Sequence, residues 1–539
     1  MKRLYLRAVL ALLRSARFCA GANTGIVFLV LTCFGLACLY AHMMRSVLAA
    51  LPFYDEMWKL DVITAPSILA RIQTLPTPLA PGWAWLTWLL LRLIGGEPVL
   101  VARCLSAIWI LPAILLLQGS LAAAEESKKQ RVMLLCGAAF IGFCRPMQSA
   151  LSYLNPYVFE VCSSVAIVVL SARWTSLGAK GRTATLVLLA ATPVFSFSPM
   201  FFLPAAYATL LLRSPNGRWR LAAGLSLFAC VALAAVLVLR VYGTTKAPNL
   251  SALQDFWGAD MVQHSPATLL RVLRNFPIEL SKSLLPVQLV PVADKAASAL
   301  AAVVFGFALL GIFVLWQTSR HWTVCLFSAS AIACVAAYLQ PWPLAFAIPL
   351  NRINLAPLWP WYFAFAIGVA RLIEPLFGRL RRFPILPFLA VIAALSPSFT
   401  PYPPPDDPDR EIFTAIRDHM ANNGAGKNLV IPLHYSTVPY ANYLLVNRLP
   451  DHFKVIDISP RTPAFQRLKE LPLIVSQNSP TDAVWIIIPH FFRSETMKSD
   501  LDNLVLTGFQ LHQTFSSSGC DIREYLPGGG SASRVPPAA

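Results

Sequence analysis

The sequence predicts an α-helical polytopic membrane protein with about eleven transmembrane helices, flanking juxtamembrane helices and a small C-terminal α/β extracytoplasmic domain. Three observations lead there. Only 13% of the 539 residues are charged and 56% are hydrophobic, whereas soluble domains carry roughly 25% charged residues. The charge deficit is concentrated in repeated apolar runs, each close to the roughly 20 residues that cross about 30 Å of hydrocarbon. The basic residues fall in short loops between those runs, as in Lys128, Lys129 and Arg131, or Arg379, Arg381 and Arg382.

The formal net charge of +18 would suit nucleic acid if it formed one patch, but its dispersal over short loops reads as a topology signal. Lys2, Arg3, Arg7, Arg14 and Arg17 precede the first apolar run, so the N-terminus is expected in the cytoplasm. That run is span-length with no clean cleavage site, which predicts an uncleaved first helix. The loops at 123–131, 173–182, 213–220, 317–322 and 371–383 are basic and are expected on the cytoplasmic side. The loops at 43–97, 145–155, 241–296 and 340–354 then face outward. Leu79–Ile94 is the exception among the apolar runs, because a crossing there would invert every later basic loop. It carries Trp83, Trp85, Trp88 and Arg92 and is read as a helix lying at the outer interface. The expected spans are 24–42, 98–122, 132–144, 156–172, 183–197, 199–213, 220–240, 297–316, 322–340, 355–374 and 384–399, with a tight outer hairpin at Ser198. The protein is thus expected in the inner (plasma) membrane, with its C-terminal domain outside.

A proline-rich linker over 397–408 ends the transmembrane domain (1–400) and opens a domain over 401–526. There 409–422 reads as an amphipathic helix, with Ile412, Ile416 and Met420 on one face. Leu429–Ile431 and Val484–Ile488 read as buried strands, 493–507 as a helix, and Phe509–Phe515 and Ile522–Leu526 as closing strands. Alternating helices and strands predict an α/β domain. Residues 527–539 read as a disordered tail. Of the 11 cysteines only Cys520 falls in this domain, and no metal-ligand spacing appears. No P-loop, GxGxxG or HExxH motif is present, which argues against an ATP-driven transporter and a membrane metalloprotease.

The chemistry-bearing signal is Asp55-Glu56 in the first outer loop. Adjacent carboxylates beside a bilayer are costly to hold unless hydrated or used. They read either as a solvated loop start or as a general base with a neighbour that orients an acceptor or binds a cation. The surrounding order sharpens this. A basic N-terminus and first span lead to Asp55-Glu56, then Thr77-Pro78-Leu79, a helix ending Leu93-Ile94-Gly95-Gly96, and Leu100-Val101-Ala102-Arg103-Cys104-Leu105-Ser106. This string resembles the GT-C superfamily of membrane glycosyltransferases, in the branch of protein O-mannosyltransferases and aminoarabinose transferases. The likeness covers about the first 120 residues well and the later spans in layout. Ile94-Gly95 and Cys104 depart from the family pattern.

The resemblance implies transfer of a sugar from a polyprenyl-phosphate carrier to an acceptor hydroxyl at the outer face, with inversion. Asp55 would be the base, and Glu56 would position the acceptor or a cation. No cofactor is required, and a divalent cation is left open. The phosphate leaving group needs positive charge, for which arginine geometry is suited. The outer-side arginines are Arg103, which matches the family arginine, Arg145 beside Pro146, and Arg352 in Asn351-Arg352-Ile353-Asn354. Arg103 reads alternatively as a snorkelling anchor. Tyr157 and Glu160 lie in Tyr153–Glu160, where related enzymes carry a second site motif, and Glu160 reads alternatively as the partner of Arg145. His264, Lys282, Trp83 and Trp359 read as ordinary loop or interfacial residues. Expected partners are the lipid-linked sugar donor, a lipid, glycan or protein acceptor, and membrane lipids, with no nucleic acid. Two other functions compete: a lipid-linked glycan polymerase or ligase, and a non-enzymatic transporter. The transporter would favour paired repeats with broken helices, and no such repeat is seen.

Overall fold

The computed structural model describes residues 35, 54–74, 79–124, 128–151, 154–242, 262, 264–285, 294–339, 354–379, 412, 414–421, 427–434, 437–447, 449, 451–456, 464–478, 482–489, 502–516 and 520–528. Three helices come first, α1 (Tyr54–Thr64), α2 (Ile68–Thr74) and α3 (Pro81–Ile94). Proline at the first position of α3 gives up no helical N–H. Gly95, at φ 70, ends the helix in a backbone region that favours glycine, and its N–H reaches Leu91 O. At 14 residues, α3 is about 21 Å long, short of the about 30 Å hydrocarbon core. It buries Trp83 and Ala84 against α1 and α2 and leaves Trp85, Leu89 and Leu93 exposed.

A series of apolar helices follows: α4 (Pro98–Ile108), α5 (Ile110–Ala124), α6 (Lys128–Phe143), α7 (Arg145–Leu151), α8 (Tyr157–Ala172), α9 (Ala179–Phe195), α10 (Leu203–Arg213), α11 (Gly217–Val236), α12 (Pro266–Leu284), α13 (Asp294–Thr318), α14 (Arg320–Leu339) and α15 (Leu355–Arg379). Among the described residues five helical stretches are long and apolar enough to cross a membrane: Pro98–Gln118, Gly217–Leu239, Ala296–Thr318, Arg320–Leu339 and Leu355–Ile373. A sixth is added if α6 and α7, bent by 43°, form one broken span. The expected spans 24–42 and 384–399 lie outside the described residues. Past its first turn, α11 exposes Leu221, Leu225, Phe228, Val231 and Val236 among others, a bare apolar surface that suits lipid and not water. The chain is a polytopic membrane protein.

Helix α15 is the axis of this region, with Trp359, Tyr362 and Phe363 fully buried. Its closest neighbour is α13. There Gly311 lies against the Ala364 carbonyl and Gly368 against the Phe307 carbonyl, so a side chain at either glycine would meet backbone. Small residues at the crossing are how helices approach closely without help from water.

Two expectations about helices are corrected. The outer loop 241–296 contains the 19-residue helix α12. Ser265 caps it by accepting from Thr268 N–H, and Pro266 starts it. Val272, Phe276, Leu280 and Leu284 form its buried face, at a spacing masked in the sequence by the intervening charges and Pro277. Lys128, Lys129 and Gln130 are also not loop residues, because they begin α6.

The C-terminal sheet has order β2-β1-β3-β5-β4, with β1 (Asn428–Pro432), β2 (Phe453–Val455), β3 (Ala483–Pro489), β4 (Phe509–Ser516) and β5 (Cys520–Pro527). β1 is parallel to β2 and β3, and β5 is antiparallel to β3 and β4. The four expected strands are all present, and β2 is an addition. β1 and β3 are buried along their whole length, which their unbroken apolar runs foretell. After β1 come the short helix α16 (Val438–Ala441) and a π-helical turn over Asn442–Val446. α17 (Ala464–Asn478) makes the crossover that parallel β2 and β3 require. The helix expected over 409–422 is helical where it is described, α-helical at 412 and 414–415 and π-helical over Ile416–Ala421, and Ile412, Ile416 and Met420 are all buried. Residues 503–507 are not helical as expected, since Gly508 at φ 81 turns the chain back and bridges Leu506 to Phe509.

The described residues form two compact units that do not follow chain order. One takes 100–240 and 254–403. The other joins 50–99 to 404–539, with a short stretch at 241–253. Helices α1 to α3 and the C-terminal sheet therefore share one folded unit.

Candidate active site

The acidic pair lies at the start of α1, not in open loop: Asp55 and Glu56 are its second and third residues. Unsatisfied N–H groups and the dipole make a helix N-terminus hospitable to carboxylates. The Asp55 side chain lies outside the described residues. Glu56 is completely buried, as are its neighbours Met57 and Leu60. A carboxylate with no access to water is costly unless it is paired or hydrogen-bonded.

Further along the same helix is a group the sequence did not reveal. Asp61 is buried, and the Arg71 guanidinium of α2 approaches its carboxylate at 3.5 Å. Two amides from the turn after α16 complete the cluster. Asn442 Nδ2 donates to Asp61 Oδ2 at 3.5 Å. Asn447 Nδ2 donates to Asp61 Oδ1 at 3.3 Å, to the Asp61 carbonyl at 3.4 Å and to Thr64 Oγ1 at 2.8 Å. The polar groups are contributed by segments more than 380 residues apart in sequence, which is why no local motif marks them.

The remaining candidates described belong to the helical unit. Arg103 is buried in α4. Arg145 opens α7 at the 43° bend, fully buried, and its Nη1 donates to the Leu285 carbonyl at 3.1 Å, just past the end of α12. Tyr157 begins α8, and its backbone N–H is accepted by Asn155 Oδ1 at 2.9 Å. Glu160, one turn in, accepts from Ser198 Oγ at 2.8 Å and Phe197 N–H at 3.4 Å. That carboxyl meets the start of the 3₁₀ helix Ser198–Phe202. The structure thus brings Asp55 and Glu56 together in one unit, and Arg145, Tyr157 and Glu160 onto adjoining helices of the other. Arg352 lies outside the described residues. Trp359 proves to be a core residue, its Nε1 donating to Ser164 Oγ at 2.8 Å. His264 adopts φ 56, and its backbone N–H donates to the Tyr338 carbonyl at 2.9 Å.

Among the described residues no three His, Cys, Asp or Glu side chains converge as a metal site.

No model of a known protein family matches the chain, and no curated protein matches it. Solved structures do. The apo oligosaccharyltransferase of Archaeoglobus fulgidus aligns over 86% of this chain and 69% of its own, at 12% identity and a TM-score of 0.50. ArnT from Cupriavidus metallidurans, bound to undecaprenyl phosphate, aligns over 93% of this chain and 98% of its own, at 13% identity and a TM-score of 0.44. The first likeness shows the fold: over most of its length the chain folds like the Archaeoglobus fulgidus oligosaccharyltransferase.

Proposed function

We propose that this protein is an inverting glycosyltransferase that moves a sugar from a polyprenyl-phosphate carrier to an acceptor hydroxyl at the outer face of the membrane. The observation that carries the reading is the acidic pair, Asp55-Glu56, in the first turn of α1 with Glu56 wholly buried, on a GT-C fold. Fold alone does not assign chemistry. The donor class therefore rests on the family resemblance of the first 120 or so residues, and the roles rest on the residue types.

In this reading Asp55 accepts the acceptor's hydroxyl proton as its oxygen attacks the anomeric carbon. The bond from that carbon to the carrier phosphate breaks on the opposite side, and polyprenyl phosphate leaves. A general base contributes about 10²–10⁴-fold. Glu56 orients the acceptor or holds a divalent cation. Arg103, Arg145 and Arg352 supply positive charge to the leaving phosphate, and Tyr157 and Glu160 shape the donor side. The outward placement rests on the basic loops, and the ten expected spans between the two halves of the unit that contains α1 are consistent with both halves lying on that same side.

The test is mass spectrometry of cell-envelope glycans and glycolipids from a deletion strain, the same strain complemented with the wild type, and one complemented with Asp55→Asn. The reading expects one sugar to be lost on deletion, restored by the wild type and still missing with Asp55→Asn. Unchanged glycans in the deletion strain would refute it.

A further inference from the structure

We propose that the C-terminal domain is a positioning element for the catalytic helix, acting through the amides of Asn447 and Asn442 on Asp61. The inference rests on the transferase reading above and adds a role for residues that the reading does not use.

Three features of the cluster support it. Its place is the first. Asp61 and Thr64 are in the last two turns of the same 11-residue helix that carries Asp55 in its first turn. The six residues from Asp55 to Asp61 span about 9 Å of helix rise. A short helix moves as a rod, so fixing its C-terminal half fixes where its first turn lies. The second feature is the bonding. Asn447 touches α1 three times, on the Asp61 carboxylate, the Asp61 carbonyl and the Thr64 hydroxyl. The carbonyl and hydroxyl contacts fall on the last turn, where a helix has carbonyls with no partner of its own. Asn442 adds a fourth contact. The third feature is charge. Asp61 is about 1% exposed, and its ion pair with Arg71 is spread over 3.5 Å. Buried polar clusters of this kind are weak sources of net stability, but they discriminate strongly against other arrangements, since any shift strands a buried charge. Apolar contact alone would let α1 slide. An amide fork on a carboxylate and a carbonyl does not.

The chemistry makes positioning matter. A general base acts only within hydrogen-bond reach of its proton, and a displacement of about 1 Å can cost about 10²-fold in rate. Asn447 and Asn442 are therefore positioning residues, and the domain that holds them is part of the active enzyme.

The experiment uses the full chain in lipid nanodiscs. Asn447→Asp sets two carboxylates against each other. The exchanged pair, Asp61→Asn with Asn447→Asp, restores one carboxylate–amide contact and the cluster's net charge, but not the donations to the residue-61 carbonyl and the Thr64 hydroxyl. Asn447→Asp is expected to lower kcat by about 10²-fold with the donor KM changed by less than about threefold, and the exchanged pair to recover activity to within about tenfold of the wild type. Asn442→Ala, which removes one long contact, should lose only a few-fold in kcat and covers the case in which Asn447→Asp does not fold. Hydrogen–deuterium exchange of the 54–64 peptide supplies a readout independent of activity: faster in Asn447→Asp, and slower again in the exchanged pair without reaching the wild-type rate. Unchanged exchange and turnover in the folded single variants, or no recovery in the exchanged pair, overturns the inference. If the wild type shows no transfer while the exchange pattern holds, the transferase reading fails and the tether stands.

Discussion

In the helical unit, the buried Glu160 carboxyl is met by Phe197 and Ser198, 37 and 38 residues away. In the other unit, buried Asp61 is met by Asn442 and Asn447, 381 and 386 residues away, and by Arg71. Both are carboxyl groups on helices near proposed chemistry, yet they are held by different means. Glu160 joins its own helix to the next turn of chain in the bundle. Asp61 joins the first loop to the C-terminal domain. One acid is part of a bundle that apolar packing already defines. The other belongs to a polar contact that joins two segments far apart in the chain.

If that contrast holds, the helical unit should fail by steric insult and the other unit by loss of polar partners. The largest effect is expected from Gly368→Leu, where the side chain would meet the Phe307 carbonyl. Overpacking at a backbone crossing costs about 3 kcal/mol or more, and size-exclusion chromatography in detergent should show no monodisperse protein. Ser198→Ala removes the shorter of the hydrogen bonds from Phe197 and Ser198 to Glu160. It is expected to cost about 2 kcal/mol, read as a lower thermal midpoint, with weaker donor binding because Glu160 shapes the donor side. A lower midpoint with donor binding unchanged would make Glu160 a bundle residue only.

His434 follows β1, and burial pushes its imidazole down to about 3. The folded chain therefore holds it neutral, while the unfolded chain protonates it near its ordinary value of 6.5. Its contribution is complete above pH 6.5 and is lost as pH falls toward about 3, at up to about 1.4 kcal/mol per pH unit. Thermal midpoints between pH 7.5 and 5 should fall less steeply in His434→Gln than in the wild type. The smallest effect is expected from Lys282→Ala, which loses a partly exposed ion pair with Glu279 at 3.0 Å, at about 0.5 kcal/mol in a thermal-melt comparison with the wild type.

The sequence reading succeeded where the physics is local. The apolar runs at 98–122, 220–240, 297–316, 322–340 and 355–374 recur as helices long and apolar enough to cross a membrane, and Val484–Ile488 marks a central strand because both of its faces are buried. The helix within Leu79–Ile94 was legible from its apolar run, and the structure has it as the 14-residue α3. The amphipathic α12 was missed because its apolar face is narrow and interrupted by Arg271, Arg274 and Pro277. The candidate site was half legible. Asp55 and Glu56 stand out because acids are rare beside a bilayer. Asp61, Asn442 and Asn447 do not, because asparagine amides carry no pattern until the fold brings them to a carboxylate.

The account turns on Asp55 as a base working from the first turn of α1. Its most direct test is turnover by the purified full chain in nanodiscs, supplied with a panel of polyprenyl-phosphate sugars and an extracted acceptor lipid fraction, measuring acceptor-dependent release of polyprenyl phosphate. The account predicts release by the wild type and a fall of at least about 10²-fold in Asp55→Asn, with the thermal midpoint unchanged. Equal turnover by the two proteins would contradict it.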